Sequence, residues 1–144
     1  MRRHVVGVSA CFAVLLASAA FAGQRGGVKA QPPVVVKTVP QSGDTEVDPG
    51  LAEIQVTFSK DMKTEKNWSF VQVSKDSYPK TTGEPRYIDK RTIVLPVALE
   101  PGKTYIIWLN QKKFTGFRDL ENYPAVPYLL VFETREAPAA PAAP

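Results

Sequence analysis

From Pro32 onward the chain never holds a clean 3.6-residue apolar period over a dozen residues free of Pro or Gly. It holds short apolar runs instead, set apart by clusters of Pro, Gly, Asp and Lys. An amphipathic helix needs the longer period, whereas side chains that alternate in and out mark a half-buried strand. That pattern directs the chain toward an all-β fold.

Seven runs qualify as strands. Residues 34–39 are β-branched. Residues 53–59 set Ile54, Val56 and Phe58 against Gln55 and Thr57. Residues 68–73 center on Phe70. Residues 85–88 suit an edge, because Pro85 cannot donate to a central ladder. Residues 92–97 align Ile93, Leu95 and Val97. Residues 103–110 set Tyr105, Ile107 and Leu109 against Ile106 and Trp108. Residues 128–134 set Tyr128, Leu130 and Phe132 against Leu129 and Val131. The last two runs are apolar on both faces, so one face lines a core and the other needs cover from loops or from a partner. Turn chemistry separates the runs, as in Gln41-Ser42-Gly43-Asp44 and Asp48-Pro49-Gly50.

The segment Leu99-x-Pro101-Gly102-x-Thr104-Tyr105 is the most specific local pattern. It fits the corner where a chain passes between the sheets of an immunoglobulin-like β-sandwich. There a Tyr near the start of a strand packs inward and returns its hydroxyl to a nearby backbone group. Tyr105, Leu99, Pro101, Gly102 and the inward-facing Phe58 are therefore expected to be structural. About seven strands and this corner together give an immunoglobulin-like sandwich.

The flanks differ from this center. Met1-Arg2-Arg3-His4 is basic, the next eighteen residues carry no charge, and Ala20-Phe21-Ala22 closes the run with a small-x-small ending. Residues 1–22 thus have the order of a secretory signal peptide. Gly7, Ser9, Ser18 and several alanines dilute the run relative to a spanning helix. Residues 23–31 are expected to be a flexible leader, 32–135 the domain, and 136–144 a disordered Ala/Pro-rich tail. The chain is then exported to the periplasm or the cell surface, with no membrane insertion after cleavage.

Loss of residues 1–22 removes Cys11 and His4, the only cysteine and the only histidine. No disulfide, thiolate nucleophile or histidine base or ligand is then available. Removing Arg2 and Arg3 from 18 Lys and Arg leaves 16 against 14 Asp and Glu, a net charge of about +2. So small and interspersed a charge gives no footprint for nucleic acid. No catalytic residue, metal ligand or cofactor is expected. The alternating carboxylates Asp44, Glu46 and Asp48, with Asp119 and Glu121, are either solvated loop charges or a calcium site, and neither run has EF-hand spacing.

The run Pro33-Val34-Val35-Val36-x-Thr38-Val39-Pro40-x-Ser42-Gly43-x-x-x-Val47 resembles the opening of bacterial Ig-like domains of the S-layer-protein type. So does Ile54-x-Val56-Thr57-Phe58-Ser59-Lys60-x-Met62. Leu99 to Tyr105 resembles the family's later corner, and residues 114–119 with 127–134 its closing loop and final strand. The sequence departs from the family at Asn122, where a Gly is usual, and in the aromatic content of residues 68–87. The resemblance implies a non-catalytic spacer or adhesive module.

Aromatic residues exceed what one small core must hold. Trp68, Tyr78, Phe114, Phe117 and Tyr123 are the candidate contact residues. They would anchor an envelope protein or, alternatively, stack sugars as in a carbohydrate-binding module. The bland alternative is that these rings cover the outer face of the last strands. The sequence leaves the partner and the oligomeric state open.

Overall fold

In the computed structural model, which describes residues 26–139, the chain forms eight strands in two antiparallel sheets. The signal-peptide reading of residues 1–22, with Cys11 and His4, lies outside the described residues, as do residues 23–25 of the leader and 140–144 of the tail. The strands are β1 (Val35–Val39), β2 (Glu53–Phe58), β3 (Phe70–Gln72), β4 (Lys80–Thr81), β5 (Arg86–Tyr87), β6 (Thr92–Ala98), β7 (Thr104–Leu109) and β8 (Tyr128–Glu133). One sheet runs β1-β2-β6 and ends on β4 and β5, which share the far edge of β6. The other runs β3-β7-β8. This is the expected all-β, immunoglobulin-like sandwich.

Alternation decides the core. Ile54, Val56 and Phe58 from β2 and Ile93, Leu95 and Val97 from β6 meet Tyr105, Ile107 and Leu109 from β7 and Leu130 and Phe132 from β8. All are buried. Strand β4 was not among the expected strands. It has two residues, both polar and exposed, so it carries no apolar signature.

Pro96 explains why the edge beyond β6 is split. The N–H of Val97 donates to Ala52 O on the β2 side, so the nitrogen of Pro96 points the other way. There it can donate to nothing. The chain passes this point as the turn between β4 and β5, where Thr82 N–H donates to Pro96 O and Gly83 packs beside the proline ring. A central strand tolerates this proline because its neighbor on that side is interrupted.

The leader is tied down at its end. Residues Val28–Ala30 form a 3-10 turn. The Lys60 ammonium donates to Lys29 O at 3.1 Å and Gln31 O at 3.0 Å. The expectation of a flexible leader therefore does not extend to residues 29–31, because a nearly buried lysine must find acceptors for its protons.

The corner before β7 closes by hydrogen bonding. The Tyr105 ring is buried, 5.4 Å from the Phe132 ring, and its hydroxyl accepts from Glu100 N–H at 2.8 Å. Gly102 takes φ +62°, and its N–H donates to Arg135 O. Thr134 Oγ1 donates to Glu100 O at 2.5 Å and accepts from Lys103 N–H at 3.0 Å. The corner is thus latched to the end of β8. Tyr105→Phe removes the acceptor for Glu100 N–H with little change of shape. We expect it to lower unfolding stability by about 1 kcal/mol, read by urea denaturation; an unchanged midpoint would contradict the latch.

Candidate functional site

The structure does not gather the five candidate aromatics into one patch. Phe117 is fully buried, with its ring 5.0 Å from Phe58 and 5.2 Å from Phe70. It is a core residue and cannot serve as the surface contact expected of it. Trp68 and Tyr78 are half-buried and pack on the core. The Tyr78 hydroxyl donates to Phe70 O, and burial raises the phenol's pKa. Phe114 is 54% exposed in the hairpin it forms with Gln111, and Tyr123 is 41% exposed with its ring 5.6 Å from Lys60 Nζ. Tyr78 opens onto a groove of about 570 Å³ between the sheet edges, rimmed by Lys75, Lys80 and Lys103. Glu100, the groove's carboxylate, is paired with Lys103, which holds it below the ordinary carboxylate range.

The more informative surface is the outer face of the β3-β7-β8 sheet. Val71 pairs with Trp108, and Trp108 with Leu129. Ile106 pairs with Val131 in the next row. Residues paired across antiparallel strands point to the same face, and Ile106 and Trp108, which alternate with Tyr105, Ile107 and Leu109 along β7, are the ones turned away from the core. None of these five side chains packs on the core. Leu129 is 38% exposed, and Val73, just past the end of β3, is 52% exposed. Five registered apolar side chains therefore face outward across three strands, with Leu129 exposed and Val71, Ile106, Trp108 and Val131 half-buried. The sequence signal was the two-faced alternation of the last strands; Trp108, at the center of the face, was not among the candidate contacts.

The free edge of β8 is closed. Gly43 N–H donates to Val131 O, Val47 N–H to Glu133 O, and Glu133 N–H to Asp44 O. Ser42 Oγ accepts from Val131 N–H at 3.2 Å. The segment after β1 thus covers the ladder that an added strand would need, and leaves the face, not this edge, as the available surface.

Four of the five carboxylates singled out for calcium, Asp44, Asp48, Asp119 and Glu121, have other partners. Asp44 Oδ1 accepts from Glu46 N–H, and Asp48 accepts from Gly50 N–H and pairs with Arg135. Asp119, fully buried, pairs with Lys60 and accepts from Tyr123 N–H at 2.8 Å. Burial opposes the charge on Lys60, but Asp119 and Glu121 outweigh it and hold the ammonium above the ordinary lysine range. Among the described residues no group of three or more His, Cys, Asp or Glu side chains could hold a metal ion.

Asn110 organizes the loop between β7 and β8, and sequence reasoning missed it. It is fully buried with φ +60°, a conformation Asn tolerates better than most residues. Its side-chain N–H groups donate to Phe117 O at 2.9 Å and Ala125 O at 3.0 Å, and its Oδ1 accepts from Phe117 N–H at 3.0 Å. These bonds draw Phe117 under the sheet. Gly116 permits the approach, since a Cβ there would lie 2.3 Å from Trp68 O.

A family model described as bacterial Ig-like domain matches residues 29–134. No curated protein matches the sequence. Among solved structures, the crystal structure of the S-layer protein rSbsC(31-844) is similar at 19% identity and TM-score 0.45. A structure of surface layer protein SbsC, domains 1-6, is similar at 18% identity and TM-score 0.42. Each match covers 78% of this chain and 15% of the other, so the chain spans a small part of these proteins.

Removing the Asn110 amide leaves buried groups of Phe117 and Ala125 without partners. Asn110→Ala should lower stability by about 2–4 kcal/mol, measured by urea denaturation. A loss below about 1 kcal/mol would show that the loop is held by other contacts.

Proposed function

We propose that this chain, which belongs to the bacterial Ig-like domain family, is a non-catalytic binding module of the cell envelope that docks a protein partner on the outer face of its β3-β7-β8 sheet. The observation that carries the proposal is the pair of registered rows, Val71–Trp108–Leu129 and Ile106–Val131, turned away from the core. A contiguous, partly exposed apolar patch of this kind on a small domain favors association. Trp108 lies on the middle strand, where a large aromatic ring makes an effective anchor. The basic, apolar and small-residue order of residues 1–22 supports export to the periplasm or cell surface. We read residues 32–135 as the folded unit and the Ala/Pro-rich tail as a spacer.

Sugar stacking has weaker support. It asks for flat rings open to solvent side by side, whereas Phe117 is enclosed and Trp68 and Tyr78 are half-buried. Phe114 and Tyr123 keep exposed rings as secondary contacts.

Immobilized protein incubated with envelope extract tests the proposal. Trp108→Lys should weaken retention of a bound envelope protein by about 2 kcal/mol, roughly thirtyfold, while Tyr78→Ala in the groove leaves it unchanged. Retention that survives Trp108→Lys, or that is lost with Tyr78→Ala, would move the site elsewhere.

A further inference from the structure

Resting on the docking role proposed above, we infer that the partner fitting this face is a second copy of the chain, stacked face to face about a two-fold axis that lies in the interface and runs across the strands. A two-fold interface joins a surface to itself, so the surface must complement its own rotated image. The axis across the strands keeps β7 over β7 and reverses its direction. The Val71–Trp108–Leu129 row of one copy then lies over the other copy's row of Ile106 and Val131, which Val73 extends. The large Trp108 ring meets the smaller Ile106, and the arrangement repeats on the other side of the axis.

Charge selects this axis over the one parallel to the strands. At the Thr104 end of the face stand Glu133 and, along the covered edge of β8, Asp44 and Glu46. Lys75 and Asp76, in the turn whose Ser77 O accepts from Ile106 N–H, offset each other. Beyond the Leu109 end stand Lys112 and Lys113. All five of the unbalanced charges are exposed, and none belongs to an ion pair among the described residues. An axis along the strands would set acid against acid and base against base. The axis across them sets Glu133 and its neighbors against the lysine pair of the other copy. Rim charges of this kind fix orientation more than affinity.

The face is small. Three strands at about 4.8 Å spacing and six residues at about 3.3 Å rise give about 15 by 20 Å, below the roughly 800 Å² per partner of a standard interface. The dimer is therefore a weak one, weaker than the micromolar end of standard-size interfaces.

Sedimentation equilibrium of the exported protein over a wide concentration range tests this. The expected result is a reversible monomer–dimer equilibrium that Trp108→Lys weakens at least tenfold. Leu129→Lys, at the exposed residue of the same row, should do the same, and thermal unfolding shows whether each variant is folded. Lys112→Glu with Lys113→Glu should weaken self-association severalfold, as should Glu133→Lys, and mixing the two variants should restore a mixed dimer. A wild-type protein that stays monomeric at millimolar concentration overturns the second copy; if Trp108-dependent capture of an envelope protein persists, the docking role stands without it. Loss of both overturns the docking role as well. A dimer indifferent to Trp108 and Leu129 overturns the face, and charge variants that dimerize like wild type overturn the axis.

Discussion

Strand β7 has apolar side chains on both of its faces, and a two-layer sandwich can enclose only one. Tyr105, Ile107 and Leu109 take the inner side and meet the opposite sheet. Ile106 and Trp108 are then turned outward by the strand's own geometry. Shifting the register by one residue would exchange the faces, but it would also break the Tyr105 latch at one end and the Asn110 network at the other. The two ends of β7 therefore choose which face is core, and the outward face follows from that choice.

The polar groups buried in the sandwich serve the same purpose. Asn110 gathers Phe117 and Ala125, and the Lys60–Asp119 pair joins the end of the leader, the segment after β2 and the loop before β8. Buried polar groups add little net stability when paired, yet leaving one unpaired is costly. They discriminate among ways of folding the long loops more than they add to the total. The apolar core could accept several loop conformations; these hydrogen bonds accept one.

Much of this was legible from residues alone. The Tyr105 corner was readable because its parts lie within seven residues of each other, and the strands with clean alternation fell within a residue or two of their expected ends. Strand β4 was not readable: Lys80 and Thr81 become a strand only because β6 offers an edge beside Pro96. Phe117 looked like a surface ring because it follows two lysines and a glycine in a loop. Its burial depends on Asn110, seven residues earlier, adopting positive φ. The outer face was half legible: alternation announced two apolar faces, while how far each is buried is a property of the whole fold. Its charge polarity was not legible at all, since Asp44 joins Glu133 only through the segment that crosses to β8.

The central claim is that the Trp108 face is partly open to solvent in the isolated domain and covered when the module works. In a Trp68→Phe variant Trp108 is the only tryptophan, so its fluorescence reports on that face alone. The account predicts water-exposed emission that acrylamide quenches readily in dilute protein, shifting to the blue and losing its quenching as the face becomes occupied. Emission already blue and shielded in dilute monomer would mean that the domain covers this face itself, and would contradict the account.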